Sequence, residues 1–244
     1  LYLTPASPHR PCDVRPDFVV GASDAGDRGD MVVLFDWVVG QVLDALDRTG
    51  QTANTLIIVT SDNGGRLTCA DGETYGHASN GTLRGQKADI WDGGHREPFV
   101  ARWPQRIPAG TSSDELVCLA DMLATFAAIA EIELPAEAGE DSYNILPALV
   151  GEAVTPIREA LVHHSANGLF SLRQGRWKLV LGLGSGGFSE PVIEDPTPGG
   201  PQGQLYDMAS DRAETHNLWA ERPDVVAKLS ALLERDRDAG HSRP

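Results

Sequence analysis

A carboxylate and a carboxamide stand side by side in Ser61-Asp62-Asn63-Gly64, directly after the apolar run Thr55-Leu56-Ile57-Ile58-Val59-Thr60. Two adjacent oxygen donors of this kind suit a hard cation such as Ca²⁺ or Mg²⁺. The run before them has the length and branching of a buried strand. Enzymes built on open α/β sheets hold their ligands just beyond the carboxyl ends of such strands. Asp-Asn-Gly also describes an ordinary turn, because Asn and Gly tolerate positive φ and Asp bonds to nearby backbone. It is the position at a strand end that gives the metal reading its weight.

The elements that must position these residues follow from periodicity. Val32, Phe35, Val39, Val42 and Leu46 recur at three- and four-residue steps, which predicts an amphipathic helix from about Asp30 to Arg48, ended by Gly50. Leu1-Tyr2-Leu3 reads as a strand in progress, so the chain is expected to begin inside a domain. Strand, helix and strand in that order predict an α/β layer with a mostly parallel sheet. Residues 64–96 are Gly-rich, polar and without periodicity, a long loop of the kind that is usually functional or disordered. Residues 98–104 then predict a short strand between prolines, and Asp114 to Ala130 a second helix with Leu116, Leu119, Leu123, Phe126 and Ile129/Ala130 on its apolar face.

Beyond about Val150 the texture changes. Glu159 to His164 and Leu169 to Leu183 are β-rich, and Gln174-Gly175 marks a hairpin turn. Gly182 to Gly203 reads as a loop or flexible insertion, Gln204 to Met208 as a strand, and Pro223 to Ala239 as a helix with Val225, Val226, Leu229 and Leu232/Leu233 inward. The expected organisation is therefore an α/β body over 1–150 and a small α+β subdomain over 151–244, an antiparallel sheet with one helix.

The 244 residues carry a formal net charge of −15, which speaks against nucleic acid or an anionic membrane as partner, since both need a basic footprint. An anion bound by so acidic a chain needs a local positive group. No apolar stretch approaches the ~18 residues that span a bilayer, and any leader would lie upstream of Leu1. Cys12, Cys69 and Cys118 are odd in number and widely spaced, so they are expected to be free or buried thiols, not a disulfide framework or metal knuckle.

Further motifs surround the metal candidate. Asn80-Gly81-Thr82-Leu83-Arg84-Gly85-Gln86-Lys87-Ala88-Asp89-Ile90-Trp91-Asp92-Gly93-Gly94-His95-Arg96-Glu97-Pro98 follows it, and Pro8-His9-Arg10-Pro11 precedes it. Together with Ser61-Asp62-Asn63-Gly64 these strings resemble the type I sulfatases of the alkaline-phosphatase superfamily. Phe35-Asp36-Trp37-Val38-Val39-Gly40, Arg173-Gln174-Gly175-Arg176-Trp177-Lys178-Leu179, and Leu205-Tyr206-Asp207 with Glu214-Thr215-His216-Asn217-Leu218 agree, so the resemblance runs to about Leu233. It implies part of an alkaline-phosphatase-like sandwich, and hydrolysis of an aryl or carbohydrate sulfate monoester to alcohol and sulfate.

The resemblance also implies roles. The family binds calcium with four side chains, two from an early Asp-Asp pair and two from the Asp-Asn at this strand end, which Asp62 and Asn63 match. Lys87 occupies the position of the family's sulfate-contacting lysine, and His9 that of the histidine near the ester oxygen. His77 is a further candidate for lining the substrate mouth, against the default of a surface loop. The chemistry coheres: a divalent ion and a lysine point charge stabilise negative charge on sulfate oxygens, and a histidine can protonate the leaving alcohol.

The family's nucleophile is a cysteine converted to formylglycine within Cys-x-Pro/Ala-x-Arg. Cys12, Cys69 and Cys118 all lack that context. The Asp-Asp pair and the further Lys and His of the sulfate pocket have no match either, so these parts are expected upstream, in an N-terminal part of the same domain. Calcium takes about 6–8 oxygens, so the chain by itself is expected to be inactive and to bind calcium weakly or not at all.

Other polar residues have plainer readings. His95 and Arg96 are expected to be structural, with Arg96 pairing a buried carboxylate. Asp36 is expected to hydrogen-bond backbone or a neighbouring loop, and Trp177 to be core. His163 and His164 alternate across a strand, so they are not expected to form a metal pair. Two other functions remain open: a phosphomonoester or phosphonate hydrolase on the same fold, and a non-catalytic relative that binds sulfated glycans. The family implies a periplasmic or secreted location.

Overall fold

Helix α1 spans Gly26–Arg48, with Asp27 in its first turn and Arg48 in its last, both favourable to the helix dipole. Its start is fixed by buried Asp30, which accepts hydrogen bonds from Gly21 N (2.8 Å), Ser23 N (2.9 Å) and Arg15 Nε (3.0 Å). The Gly21 backbone bond above all, with the other donors, holds the Asp30 carboxyl below its usual range. The computed structural model describes residues 1–13, 15–67, 74–135, 137–153 and 156–243. Cys69 lies outside the described residues, and Cys12 and Cys118 are free thiols.

The expected strand at Leu1 to Leu3 does not form, and Leu1 and Tyr2 stand fully exposed. A strand needs a neighbour for its backbone groups, and among the described residues none is paired there. Leu1 and Leu3 instead join Trp37, Val38, Val42 and Leu46 of α1 around an open groove of about 500 Å³. Strand β1 (Ile57–Thr60) pairs antiparallel with β2 (Phe99–Arg102), from Ile57 opposite Arg102 to Thr60 opposite Phe99. Every strand pairing among the described residues is antiparallel, so the parallel pairing expected for the α/β layer is not made within them.

The chain forms two compact units. One comprises Leu1–Thr60, Leu67–Ser79 and Phe99–Arg106; the other comprises Ser61–Arg66, Asn80–Pro98 and Ile107–Pro244. These units do not follow the expected division at residue 150, because the segments after β1 and around Lys87 group with the C-terminal sheet.

That sheet orders β3 (Leu161–His164), β4 (Phe170–Gln174), β5 (Trp177–Val180) and β6 (Gln204–Asp207) side by side. The β4–β5 hairpin turns through Gly175 at φ +52°, as its sequence predicts. A C-terminal helix over Pro223–Ala239, bounded by Pro223 at its start and left-handed Gly240 at its end, packs Val225, Leu229, Leu232 and Leu233 onto Ala160, Leu172, Leu179 and Leu205. Trp177 packs against the edge of this core.

The predicted helix from Asp114 to Ala130 shrinks to Met122–Ile129, preceded by a 3₁₀ turn at Leu119–Asp121. Asp121 is fully buried; it accepts from Cys118 N (2.7 Å) and Tyr143 N (3.0 Å) and pairs with buried Arg158. That carboxylate caps the chain where the periodicity would have continued it. Thr125 Oγ1 accepts from Ile145 N and Ser142 Oγ accepts from Ala124 N, which turns the small face Ala124, Thr125 and Ala127 inward. Leu119, Leu123 and Phe126, expected inside, are 40%, 50% and 50% exposed.

A buried ion cluster crosses the second unit. Lys178 on β5 is wholly inaccessible, and its ammonium lies 2.7 Å from Asp92 Oδ1 and 2.7 Å from Glu214 Oε1. The Asp92 contact is a hydrogen bond, and Glu214 Oε1 stands at the same distance as the second counter-charge. Glu214 Oε2 accepts the backbone N–H of Asp92 at 2.6 Å. Burial pushes the Asp92 carboxyl up, but the charge and hydrogen bond of Lys178 outweigh it, leaving a net downward shift. For Glu214 burial prevails and the shift is upward. Removing one partner of a buried pair strands the other charge. Lys178→Met should therefore lower the unfolding free energy of the second unit by about 3–5 kcal/mol, read as a drop in the urea midpoint of its α-helical signal; an unchanged midpoint refutes the account.

His95 and His163 lie beside this cluster with ring centroids 4.4 Å apart. Burial first, then the Lys178 charge, takes His95 from its ordinary 6.5 down to about 4 and His163 well below 6.5. Between the folded and unfolded values the unfolded chain binds more protons, so this contribution to stability is intact above pH 6.5 and is lost as pH falls towards 4. In His163→Phe the decline of the thermal midpoint between about pH 7 and pH 4.5 should be shallower than in the parent. Parallel curves for the two proteins would count against it.

Candidate functional site

The residues after β1 are fixed by close backbone packing. Gly64 is buried, its N–H donates to Gly94 O at 3.0 Å, and a Cβ there would collide with the carbonyl oxygen of Gly93. Gly93 is equally constrained, because its own Cβ would meet the carbonyl oxygens of Arg84 and Gly85, and its N–H donates to Arg84 O at 2.7 Å. Only glycine permits such an approach. The Asp62-Asn63-Gly64 corner and the Arg84-Gly85-Gln86-Lys87 segment therefore rest on opposite sides of one Gly-Gly turn, at the short helix Asp92–His95.

Asn80 ties the same two segments through its side chain. Its Oδ1 accepts from Gly65 N (2.9 Å), while its Nδ2 donates to Gly65 O (2.9 Å) and Gly85 O (3.0 Å). Lys87 N also donates to Gly65 O at 3.2 Å. What reads as a polar loop without periodicity is thus a close-packed turn, with Ile90 and Trp91 buried beneath it.

Arg84 carries this packing to the C-terminal sheet. Its guanidinium stacks on Trp91 at 3.7 Å and donates to Tyr206 Oη (3.2 Å) and Glu214 O (2.7 Å). Gln204 Oε1 accepts from both Trp91 Nε1 (2.9 Å) and Tyr206 Oη (2.7 Å). Burial pushes the Tyr206 hydroxyl up to about 12, so it remains a neutral donor.

The structure brings Asp62, Asn63 and Lys87 into one unit and assigns His9 and His77 to the other. Asp62 is exposed, and Asn63 spends its amide nitrogen on Gly64 O (3.0 Å), not its oxygen. Lys87 is partly buried. His9 is exposed in its turn, with Nδ1 facing Arg10 O at 2.8 Å; the carbonyl accepts, so Nδ1 carries the hydrogen and Nε2 is the basic nitrogen. His77 is exposed. Asp36 stands exposed on α1. Arg96 stands 3.7 Å from buried Asp92, in keeping with its predicted pairing. His163 faces inward while His164 is exposed, so the two do point apart.

Glu97 responds to the charge of Asp62. Burial above all, then the charges of Asp62 and Asp92, pushes its carboxyl up to about 7. An exposed carboxylate beside an amide oxygen offers two hard donors, which fits part of the shell of a divalent ion. Among the described residues no three or more His, Cys, Asp or Glu side chains gather closely enough to hold a metal. Sequence reasoning gives no role to Asn80, whose cross-link joins segments brought together only by the fold, or to Glu97, whose upward shift comes from burial.

A sequence model of the Sulfatase family matches residues 1–132. The N-acetylgalactosamine-6-O-sulfatase of Bacteroides thetaiotaomicron is 33% identical over 96% of this chain and 46% of its own length. Arylsulfatase H of Canis lupus familiaris is 36% identical over 97% of this chain and 46% of its own. A solved sulfatase structure from work on glycosaminoglycan metabolism by B. thetaiotaomicron superposes with a TM-score of 0.81 at 31% identity, over 93% of this chain and 48% of that one. The chain spans about half the length of the relatives it matches.

Loss of the Asn80 side chain removes three hydrogen bonds to the backbone of Gly65 and Gly85. Asn80→Ala should cost about 1–3 kcal/mol of stability, measured by urea unfolding; a cost under about 0.5 kcal/mol would show that the amide does not hold the corner together.

Proposed function

The chain belongs to the sulfatase family, and from that premise we propose that the protein carrying it hydrolyses sulfate monoesters of carbohydrates or aromatic alcohols, releasing alcohol and sulfate. The observation that carries this reading is the common anchoring of Asp62-Asn63 and the Lys87 segment on the Gly93-Gly94 turn. A metal-donor pair and a fixed positive charge so arranged suit a dispersed oxyanion.

In this reading Asp62 and Asn63 supply two of the oxygen ligands of a calcium ion, whose chemistry when bound is to polarise sulfate oxygens. Lys87 holds the sulfate through its ammonium and stabilises charge developing on its oxygens. His9 acts as general acid in its doubly protonated form, passing the Nε2 proton to the leaving alcohol oxygen and returning to the neutral ring with its hydrogen on Nδ1, and its Nδ1 contact with Arg10 O fixes the ring for that role. His77 is assigned to the substrate mouth. Formylglycine chemistry is implied by the family, and no part in it falls to Cys12, Cys69 or Cys118, none of which has the required neighbours. Calcium is accordingly bound tightly only by the protein at the full length of its relatives, and the 244 residues alone do not turn over substrate. Sulfated polymers are met outside the cytoplasm, which supports a periplasmic or secreted location.

The test uses the protein at the length of its relatives, with 4-nitrophenyl sulfate, N-acetylgalactosamine 6-sulfate and 4-nitrophenyl phosphate compared side by side. Sulfate should be released, and Lys87→Ala should lower kcat/KM by about 10²–10³-fold. An unchanged rate in that variant removes Lys87 from the mechanism. Faster phosphate than sulfate release favours a phosphomonoesterase of the same superfamily, and retention of a sulfated glycan without release favours the binding-only reading.

A further inference from the structure

Lys87 sits in an unusual turn. Asp89 N donates to Gln86 O at 2.9 Å, closing a four-residue turn with Lys87 and Ala88 at its centre. Ala88 has φ +80°, the value a type II turn requires at its third residue and one that normally selects glycine. An alanine held there is strained, and such conformations persist only where the surroundings impose them.

The surroundings converge on Asp89, whose side chain is fully buried. Its Oδ2 accepts from Gln86 N (2.9 Å), inside the turn, and from Ser189 Oγ (2.6 Å). Its Oδ1 accepts from Phe188 N (2.6 Å) and Ser189 N (3.0 Å). One carboxylate thus receives four donors, one from the Lys87 turn and three from the Gly-rich segment after β5. Around it, Gln86 Nε2 donates to Ser189 Oγ (3.2 Å), Ile90 N to Ser185 O (2.8 Å), and Ala166 N to the strained Ala88 at its carbonyl oxygen (2.9 Å). The stretch expected as a loop or flexible insertion is, over residues 185–189, a brace against residues 86–90.

We infer that Asp89 is a positioning residue for Lys87, and that the loop at residues 185–189 sets the direction of the lysine by clamping this turn. The inference rests on the sulfate-binding role proposed for Lys87. A neutral amide cannot replace the carboxylate. The Asp89→Asn side chain would have one acceptor oxygen in place of two, so either Gln86 N or the loop amides would meet an NH₂ group.

The experiment is a double-mutant cycle in the protein at the length of its relatives, with 4-methylumbelliferyl sulfate as a sensitive substrate. Asp89→Asn and Ser189→Ala are each made in the parent and in the Lys87→Ala background. Asp89→Asn should lower kcat/KM at least about 10-fold in the parent but less than about 3-fold further once Lys87 is gone, and Ser189→Ala should show the same pattern more weakly. A general loss of structure would lower activity equally in both backgrounds, and that result overturns the inference. So does a parent-background loss under about 2-fold. Should Asp89→Asn not fold, Ser189→Ala decides by the same criterion. A parent with no sulfatase turnover at all overturns the proposed function, and this inference with it.

Discussion

The ammonium of Lys178 is the constraint around which the second unit is organised. A buried cation without a counter-charge costs several kcal/mol, so Asp92 and Glu214 must both approach β5 for that strand to occupy the centre of its sheet. Asp92 opens the short helix whose Gly93-Gly94 turn supports the Asp62-Asn63 corner on one side and the Lys87 segment on the other. Glu214 fixes the backbone N–H of that same Asp92. The candidate site is therefore built on a charge balance made within the protein interior. The neutral imidazoles of His95 and His163 border the cluster, and its positive charge helps keep them unprotonated.

Legibility in the sequence followed the range of the interactions concerned. The C-terminal helix came out with its bounds intact because Pro223 and Gly240 are local signals and its apolar spacing is undisturbed. The β4–β5 hairpin was equally local. The helix expected from Asp114 failed because its start is decided by Asp121 pairing with Arg158, 37 residues away, which no periodicity encodes. Leu1 to Leu3 has the composition of a strand, but composition supplies no pairing partner.

The site shows the same division. Asp62, Asn63 and Lys87 could be named from motifs, and the structure gathers them in one unit. What holds them could not be named. Asn80 bonds across 15 residues to Gly65, and Asp89 across about 100 to Phe188 and Ser189. Lys178 and Glu214 were visible only as letters in recurring strings. Their meaning lies in a burial that one chain of letters does not display.

The span of the Lys178 cluster also bears on how the chain acquires its fold. Asp92 is 86 residues before Lys178 and 122 before Glu214, so the cluster closes loops of high contact order, whose formation is slow. A nascent chain emerging from the ribosome with its amino end first holds Asp92 and Lys178 before Glu214 exists. Until that glutamate arrives, the Asp92 amide has no acceptor and β5 has half its counter-charge. The second unit thus completes its charge balance only after Glu214 has been made, and until then the turn that carries the candidate site lacks that brace.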